Sequence, residues 1–191
     1  MRPTIAHTTL FSYLVTRPTG RTVRATVERQ IAEAGTTVLA VLDLRHVPLI
    51  DFSCADEIVA KLVLLTSDAS TRLSFILFRG IADHHFEPID SVLRRRGLAA
   101  AAESADGKPL LMGALDPGAT AVWREIWSLG RTGASPLAAR LELPRDCVRG
   151  LLDDLVARAL VIRDGERYVS LRHALLDAAP PSPARTDRED P

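Results

Sequence analysis

The stretch from Val38 to Leu65, VLAVLDLRHVPLIDFSCADEIVAKLVLL, decides the fold of this 191-residue chain. Its first part is an almost unbroken apolar run, typical of a β-strand that is covered on both faces. Pro48 ends that strand, because proline has no N–H to give to a neighbouring strand. After Asp51 the apolar residues recur every three or four positions, which predicts an amphipathic helix. The predicted buried face of this helix consists of Ala55, Ile58, Val59 and Leu62.

The junction between this strand and helix resembles the signature of the STAS domain, the module of anti-sigma-factor antagonists and sulfate-transporter tails. In that family a hydrophobic-Asp-hydrophobic strand end leads to an Asp-Ser-Ser-Gly corner. Here Asp43 matches the strand end, and Asp51 and Ser53 match the corner, whereas Phe52 and Cys54 depart from it. The resemblance covers a first domain at residues 1–113. It implies an α/β sandwich that binds a protein partner, either a kinase or an anti-sigma-like protein.

Ser53 and Asp51 are the candidate site residues of this domain, for phosphorylation or partner binding. The resemblance implies that a kinase phosphorylates Ser53, and a helix N-terminus stabilises a phosphate. Asp56, one turn further along, would repel that phosphate. The alternative is that Ser53 only caps the helix, with Asp56 completing a capping box, which is worth about 1 kcal/mol. Ala60 and Leu64 are predicted to form a partly apolar outer face, which favours a partner surface.

Strands and helices alternate on both sides of this stretch, so the sequence predicts the α/β fold class. The other predicted elements are strand 9–17, helix 22–34, strand 72–79, helix 89–96, and strands 98–103 and 109–112.

Two further clusters carry residue types that could form a site. Asp83, His84, His85 and Glu87 have metal-ligating side chains, but adjacent histidines point in different directions, which favours a solvated loop without a metal. The arginine run 94–96 ends a helix, where the dipole favours cations, and indicates a solvated end or an anion or partner site. There is no nucleophile–base–acid set and no phosphate-cradling glycine loop. We therefore predict no enzyme activity and no cofactor.

A second domain is predicted at residues 114–178, with the linker residues Asp116, Pro117 and Gly118 near its start. The apolar pattern indicates three helices and a hairpin with an Asp164-Gly165 turn. Both tryptophans, Trp123 and Trp127, fall on the buried face of the first helix. The predicted elements are helices 119–129, 136–143 and 145–159, a turn at 130–133, and strands 160–163 and 167–171.

The segment 135–171, SPLAARLELPRDCVRGLLDDLVARALVIRDGERYVSL, resembles the winged helix-turn-helix domains of bacterial regulators. The resemblance implies that its second helix enters the DNA major groove and that the hairpin is a wing. Arg145, Arg149, Arg163 and Arg167 are then the candidate DNA-binding residues. An alternative is that Arg149 pairs with Asp153 and that the domain binds protein, since 114–178 holds nine arginines and nine acids.

The composition sets limits on compartment and partners. Lys and Arg balance Asp and Glu at 24 each, so no global charge points to nucleic acid or to a membrane. The two cysteines, Cys54 and Cys147, lack metal spacing and indicate a reduced, cytoplasmic setting. Cys147 is either a redox-sensitive thiol or a half-buried structural residue. Residues 179–191 are rich in proline and charge, which predicts a disordered tail.

The sequence therefore predicts a bacterial cytoplasmic transcription regulator that acts as a homodimer. Its STAS-like domain would bind a protein partner or a small ligand and control the binding of double-stranded DNA by the winged helix-turn-helix domain. The alternative is a partner-switching adaptor that binds no DNA, in which both domains bind proteins.

Overall fold

A five-stranded β-sheet forms the centre of the chain, with strand order β1-β2-β3-β4-β5. The structure is a computed structural model and describes residues 2–66 and 73–178. Strands β1 to β4 run parallel, and β5 returns antiparallel to β4. The strands are β1 (Thr4–Phe11), β2 (Thr37–His46), β3 (Leu73–Ile81), β4 (Ala99–Ser104) and β5 (Pro109–Gly113).

One face of this sheet is covered by the helices that connect its parallel strands. They are α1 (Arg17–Ala34), α2 (Phe52–Ala55), a π-helical turn (Asp56–Ala60), α3 (Lys61–Thr66) and α4 (Asp83–Arg95). The segments α2, π-helical turn and α3 follow each other without a break. Ala40 and Leu42 of β2 point to this face because successive side chains of a strand alternate. The predicted α/β class is confirmed.

The opposite face of the sheet is covered by the C-terminal segment. This segment contains α5 (Pro117–Leu129), β6 (Arg131–Gly133), α6 (Ala134–Leu141), α7 (Arg145–Ala157), β7 (Val161–Asp164), β8 (Arg167–Ser170) and α8 (Leu171–Ala178). Its strands form a small antiparallel sheet in the order β6-β8-β7. Leu39 and Val41 of β2 belong to the same buried cluster as Trp123 and Trp127 of α5. The two halves of the chain therefore share one hydrophobic core.

Several element boundaries differ from the prediction. The first strand ends at Phe11 instead of residue 17, and α1 begins at Arg17 instead of residue 22. Pro18, which directly follows the predicted strand 9–17, lies in the first turn of α1, where its missing N–H costs nothing. Thr16 caps this helix by accepting a hydrogen bond from the Thr19 N–H at 3.3 Å.

Two elements of the C-terminal segment were missed. The predicted turn 130–133 contains β6, which pairs with β8 and is only three residues long. Helix α8 makes two turns directly after β8, too short for a clear helical period, and packs on β1 and β3. The division into domains 1–113 and 114–178 stays a prediction, and the predicted tail 179–191 lies outside the described residues.

No helix within residues 2–66 and 73–178 combines the length and apolar character that a membrane crossing needs.

Candidate functional site

The outer face of α7, the β7–β8 hairpin and the start of α6 line an open groove of about 470 Å³, which we call the α7 groove. Arg145 and Arg149 reach it from the first two turns of α7, and Arg163 reaches it from β7. Arg167 begins β8 and is exposed, but it does not line the groove. The structure thus brings together three of the four predicted DNA-binding residues.

Most of the charge in the α7 groove is free of local ion pairs. Among the described residues, Arg145 and Arg149 make none, so the predicted pair between Arg149 and Asp153 does not form. Asp153 instead lies 3.7 Å from Arg163. Glu166 is the acid that lines the groove. Three guanidinium groups against two carboxylates, those of Glu166 and Asp153, leave this surface locally positive, although the segment as a whole is neutral.

Cys147 is exposed on the first turn of α7, so the half-buried structural interpretation of this cysteine is wrong. It lies outside the buried face of the helix, to which Val148 and Leu152 belong. Cys54, in contrast, is buried, and burial raises the pKa of its thiol. A protonated thiol is a weak nucleophile, which leaves Cys54 as a packing residue.

The corner between β2 and α2 is organised by Asp51 instead of Ser53. Asp51 is the N-cap, because its Oδ1 accepts a hydrogen bond from the Cys54 N–H at 2.7 Å. Ser53 lies in the first helical turn and donates its hydroxyl to Asp51 Oδ1 at 2.9 Å. The predicted capping role of Ser53 is therefore wrong. Its hydroxyl positions the capping carboxylate.

Ser53 opens onto a pocket of about 530 Å³, which we call the arginine pocket. Its other lining residues are Arg17, Phe52, Asp56, Val92, Arg95 and Arg96. Asp56 Oδ1 accepts a hydrogen bond from Arg96 Nε at 2.7 Å, and this bond lowers the pKa of Asp56. Because Arg96 and Arg17 neutralise the Asp56 carboxylate, the predicted repulsion between Asp56 and a phosphate at Ser53 is weakened. Arg17 lies 78 positions before Arg95 in the chain, so only the fold reveals it as a neighbour of Arg95 and Arg96.

Exposed apolar side chains surround the same corner, a surface that we call the aromatic corner. It lies where β1 and β2 end. The Leu14 N–H donates to the Leu49 carbonyl oxygen and the Asp51 N–H donates to the Leu14 carbonyl oxygen, both at 2.9 Å, and these bonds join the two loops. Its members are Phe11, Tyr13, Val15, Leu49 and Phe52, which are all more than 40% exposed. The apolar outer face that the sequence predicts is at Ala60 and Leu64 instead. Ala60 is in fact fully buried, whereas Leu64 is exposed.

His85 is a buried structural residue of α4, not part of a solvated loop. Its Nδ1 accepts the Ala82 N–H at 3.2 Å, and its Nε2 lies 2.8 Å from the Val47 carbonyl oxygen. These two contacts require the neutral ring with a proton on Nε2. Desolvation lowers the pKa of His85. Within the described ranges no group of three or more His, Cys, Asp or Glu could hold a metal ion.

We expect the chain to lose stability as the pH falls below about 6.5. The unfolded chain takes up a proton on His85 near that pH, while the folded chain resists it, so protonation favours unfolding. Thermal unfolding between about pH 7.5 and about pH 5.5 measures the effect. His85→Leu should be less stable at neutral pH and should show a weaker pH dependence over this interval. An unchanged pH dependence in that variant would contradict the assignment.

No protein-family model matches the chain, and no curated protein matches it either. The function of the chain therefore has to be inferred from the surfaces that it presents.

Proposed function

We propose that this chain is a DNA-binding regulator of the bacterial cytoplasm, in which α7 and the β7–β8 hairpin contact duplex DNA and two copies act together. The observation that carries the proposal is the convergence of Arg145, Arg149 and Arg163 on the α7 groove. The order of three helices and a hairpin supports it, because in winged helix-turn-helix proteins the third helix enters the major groove.

The arginines of the α7 groove suit this role chemically. A guanidinium group presents several N–H donors in one plane and can bind a guanine edge or a phosphate through two hydrogen bonds. Arg145 and Arg149 are exposed and stand one helical turn apart on α7, so both can reach the same stretch of DNA. Because the C-terminal segment has equal numbers of arginines and acids, we expect a moderate affinity for DNA. The electrostatic attraction to the phosphates is concentrated in the α7 groove.

A contact between α7 and the central sheet supports the regulatory part of the proposal. Arg158, which follows the last turn of α7, donates from Nη1 to the carbonyl oxygens of Gly97 at 3.4 Å and Ala114 at 3.3 Å. These carbonyls flank β4 and β5. A displacement of this end of the sheet, caused by a partner or ligand, would therefore be transmitted to α7 through Arg158.

A gel-retardation series with random duplex DNA at increasing salt tests the proposal. We expect retardation at low salt that weakens steeply as salt is added, because bound arginines release counterions from the phosphates. Arg149→Ala should weaken binding by about 1–3 kcal/mol, or roughly 5- to 150-fold.

Arg124→Ala is the matched control, since Arg124 is exposed on α5 of the same segment and does not line the groove. This control should bind DNA as the wild type does. Equal losses in Arg124→Ala and Arg149→Ala would show only nonspecific attraction to positive charge. The absence of retardation by the wild type at low salt would refute the proposal.

A second candidate function, docking of a protein partner without DNA, is favoured by the aromatic corner. Exposed aromatic side chains of this kind are enriched in protein interfaces. Partner-dependent phosphorylation of Ser53 would belong to this function, with Asp51 holding the hydroxyl. The two candidates separate experimentally: Phe52→Ser should abolish co-purification of a partner from the source cell and leave DNA retardation unchanged. If Phe52→Ser retained the partner as well as the wild type does, the aromatic corner would not be the docking surface.

A further inference from the structure

The arginine pocket has a charge pattern that is not explained by folding alone. Arg17 enters it from the first turn of α1, and Arg95 and Arg96 enter it from the end of α4. Asp56 is the acid in its lining, and it is already paired with Arg96 at 2.7 Å and Arg17 at 3.7 Å. Arg95 makes no ion pair within the part of the chain that the structure describes. Arg17 is also paired with the buried Glu57 at 3.1 Å, so Arg95, which has no such partner among the described residues, leaves the pocket positive.

The arginines keep donors for a further anion. A guanidinium group carries five N–H donors. Arg96 uses its Nε for Asp56, and Arg17 uses Nη1 for Glu57. The other N–H groups of these side chains and the whole head group of Arg95 remain. Planar, paired donors of this kind match the several oxygens of a phosphate better than they match a spherical halide ion.

Part of the pocket wall is apolar. Phe52 lines the pocket and is 51% exposed, whereas Val92 of α4 also lines it but is 5% exposed, so Phe52 supplies most of this apolar wall. A bare inorganic ion would leave this wall in contact with water, whereas an apolar or planar group would cover it. A cavity of about 530 Å³ has room for both a phosphate and such a group.

We infer that the arginine pocket binds a small organic phosphate, with the phosphate on Arg17, Arg95 and Arg96 and the organic part against Phe52 and Val92. The site is distinct from the α7 groove, because the two surfaces are built on opposite faces of the central sheet. It does not depend on DNA binding. The ligand is a free molecule, not a phosphate attached to Ser53.

Calorimetric titration of the full chain tests this inference, with inorganic phosphate and phenyl phosphate as probes. We expect saturable binding of both, and tighter binding of phenyl phosphate because its ring covers Phe52 and Val92. Arg95→Ala should weaken phosphate binding about tenfold, since it removes a charged hydrogen-bond donor. This substitution breaks no ion pair of the described residues, so the variant should fold normally.

Arg94→Ala is the matched control on the same helix, because Arg94 pairs with Asp90 and does not line the pocket. It should bind phosphate within about twofold of the wild type. Equal weakening in Arg94→Ala and Arg95→Ala, or no saturable binding of phosphate by the unmodified chain, would overturn the inference. Phenyl phosphate that binds no more tightly than phosphate would overturn the assignment of an organic ligand.

Discussion

Glu57→Gln is expected to lower the free energy of unfolding by about 2–3 kcal/mol. Glu57 has no accessible side-chain surface, and its Oε1 lies 2.7 Å from Lys61 Nζ and 3.1 Å from Arg17 Nη1. Glutamine keeps the shape of the side chain but removes the charge, so the surrounding cations lose their counter-charge. In a chain of this size the melting temperature should fall by roughly 4–12 °C. Thermal and denaturant unfolding measure both quantities.

The expected loss of stability in Glu57→Gln is large because three arginines of α1 lie close to this one carboxylate. Arg21 and Arg24 lie 3.7 and 3.8 Å from Glu57, in addition to Arg17. Positions 17, 21 and 24 share one face of α1. Gly20 allows the helices to approach so closely, since a Cβ at that position would lie only 2.9 Å from Glu57 Cβ.

The same cluster predicts a dependence on pH. The hydrogen bond from Lys61 lowers the pKa of Glu57 below its ordinary value of 4.5. Its contribution to stability is therefore present above about pH 4.5 and is lost as the pH falls further, through the folded-state pKa. The stabilities of the wild type and Glu57→Gln should converge in that acidic range.

Glu28→Gln is the matched control for Glu57→Gln. Glu28 also pairs with an arginine of α1, Arg24 at 2.8 Å, but its side chain is one-third exposed. Because water can replace this pair, the substitution should cost less than about 0.5 kcal/mol. Equal losses in the two variants would mean that burial of Glu57 adds nothing to its ion pairs.

Trp123→Ala should destabilise the whole chain by about 3–5 kcal/mol. Trp123 is 2% exposed, and its ring lies 5.0 Å from that of Trp127. It belongs to the buried cluster that also contains Leu39 and Leu77 of the central sheet. The loss should therefore appear in one cooperative unfolding transition that covers both halves of the chain, seen by circular dichroism and calorimetry.

Leu129→Ala on the same helix is the control, because Leu129 is 39% exposed. It should cost less than about 1 kcal/mol, as expected for a partly exposed side chain. Two separate unfolding transitions, with Trp123→Ala lowering only the one that belongs to the C-terminal segment, would contradict a shared core.

The pattern of apolar residues was enough to predict the fold class and much of the core. Ala55, Ile58, Val59 and Leu62 are all buried as predicted, and the π-helical turn adds Glu57 and Ala60 to the buried residues. Trp123 is buried as predicted, because the apolar residues of α5 follow a clear helical period. The short elements β6 and α8 were not predicted, because a strand of three residues or a helix of two turns shows too little periodicity in the sequence.

The candidate sites were predicted less completely, because they depend on contacts between distant segments. Asp51 and Ser53 are both good N-cap residues, and the sequence could not decide between them. The burial of Glu57 follows from the π-helical turn and the approach of α1, neither of which has a local sequence signal. Arg95 and Arg96 were recognised as a possible anion site, but their approach to Arg17 required the folded chain.

The packing of α8 against β1 and β3 has a consequence for biosynthesis. When β3 has left the ribosome at Ile81, 97 residues remain before Ala178 completes α8, which takes roughly 5–20 s of translation. During that time the nascent sheet presents Leu39 and Leu77 without their final cover. We expect the growing polypeptide to rely on a holding chaperone in this interval, and a messenger truncated before α8 to yield an insoluble product.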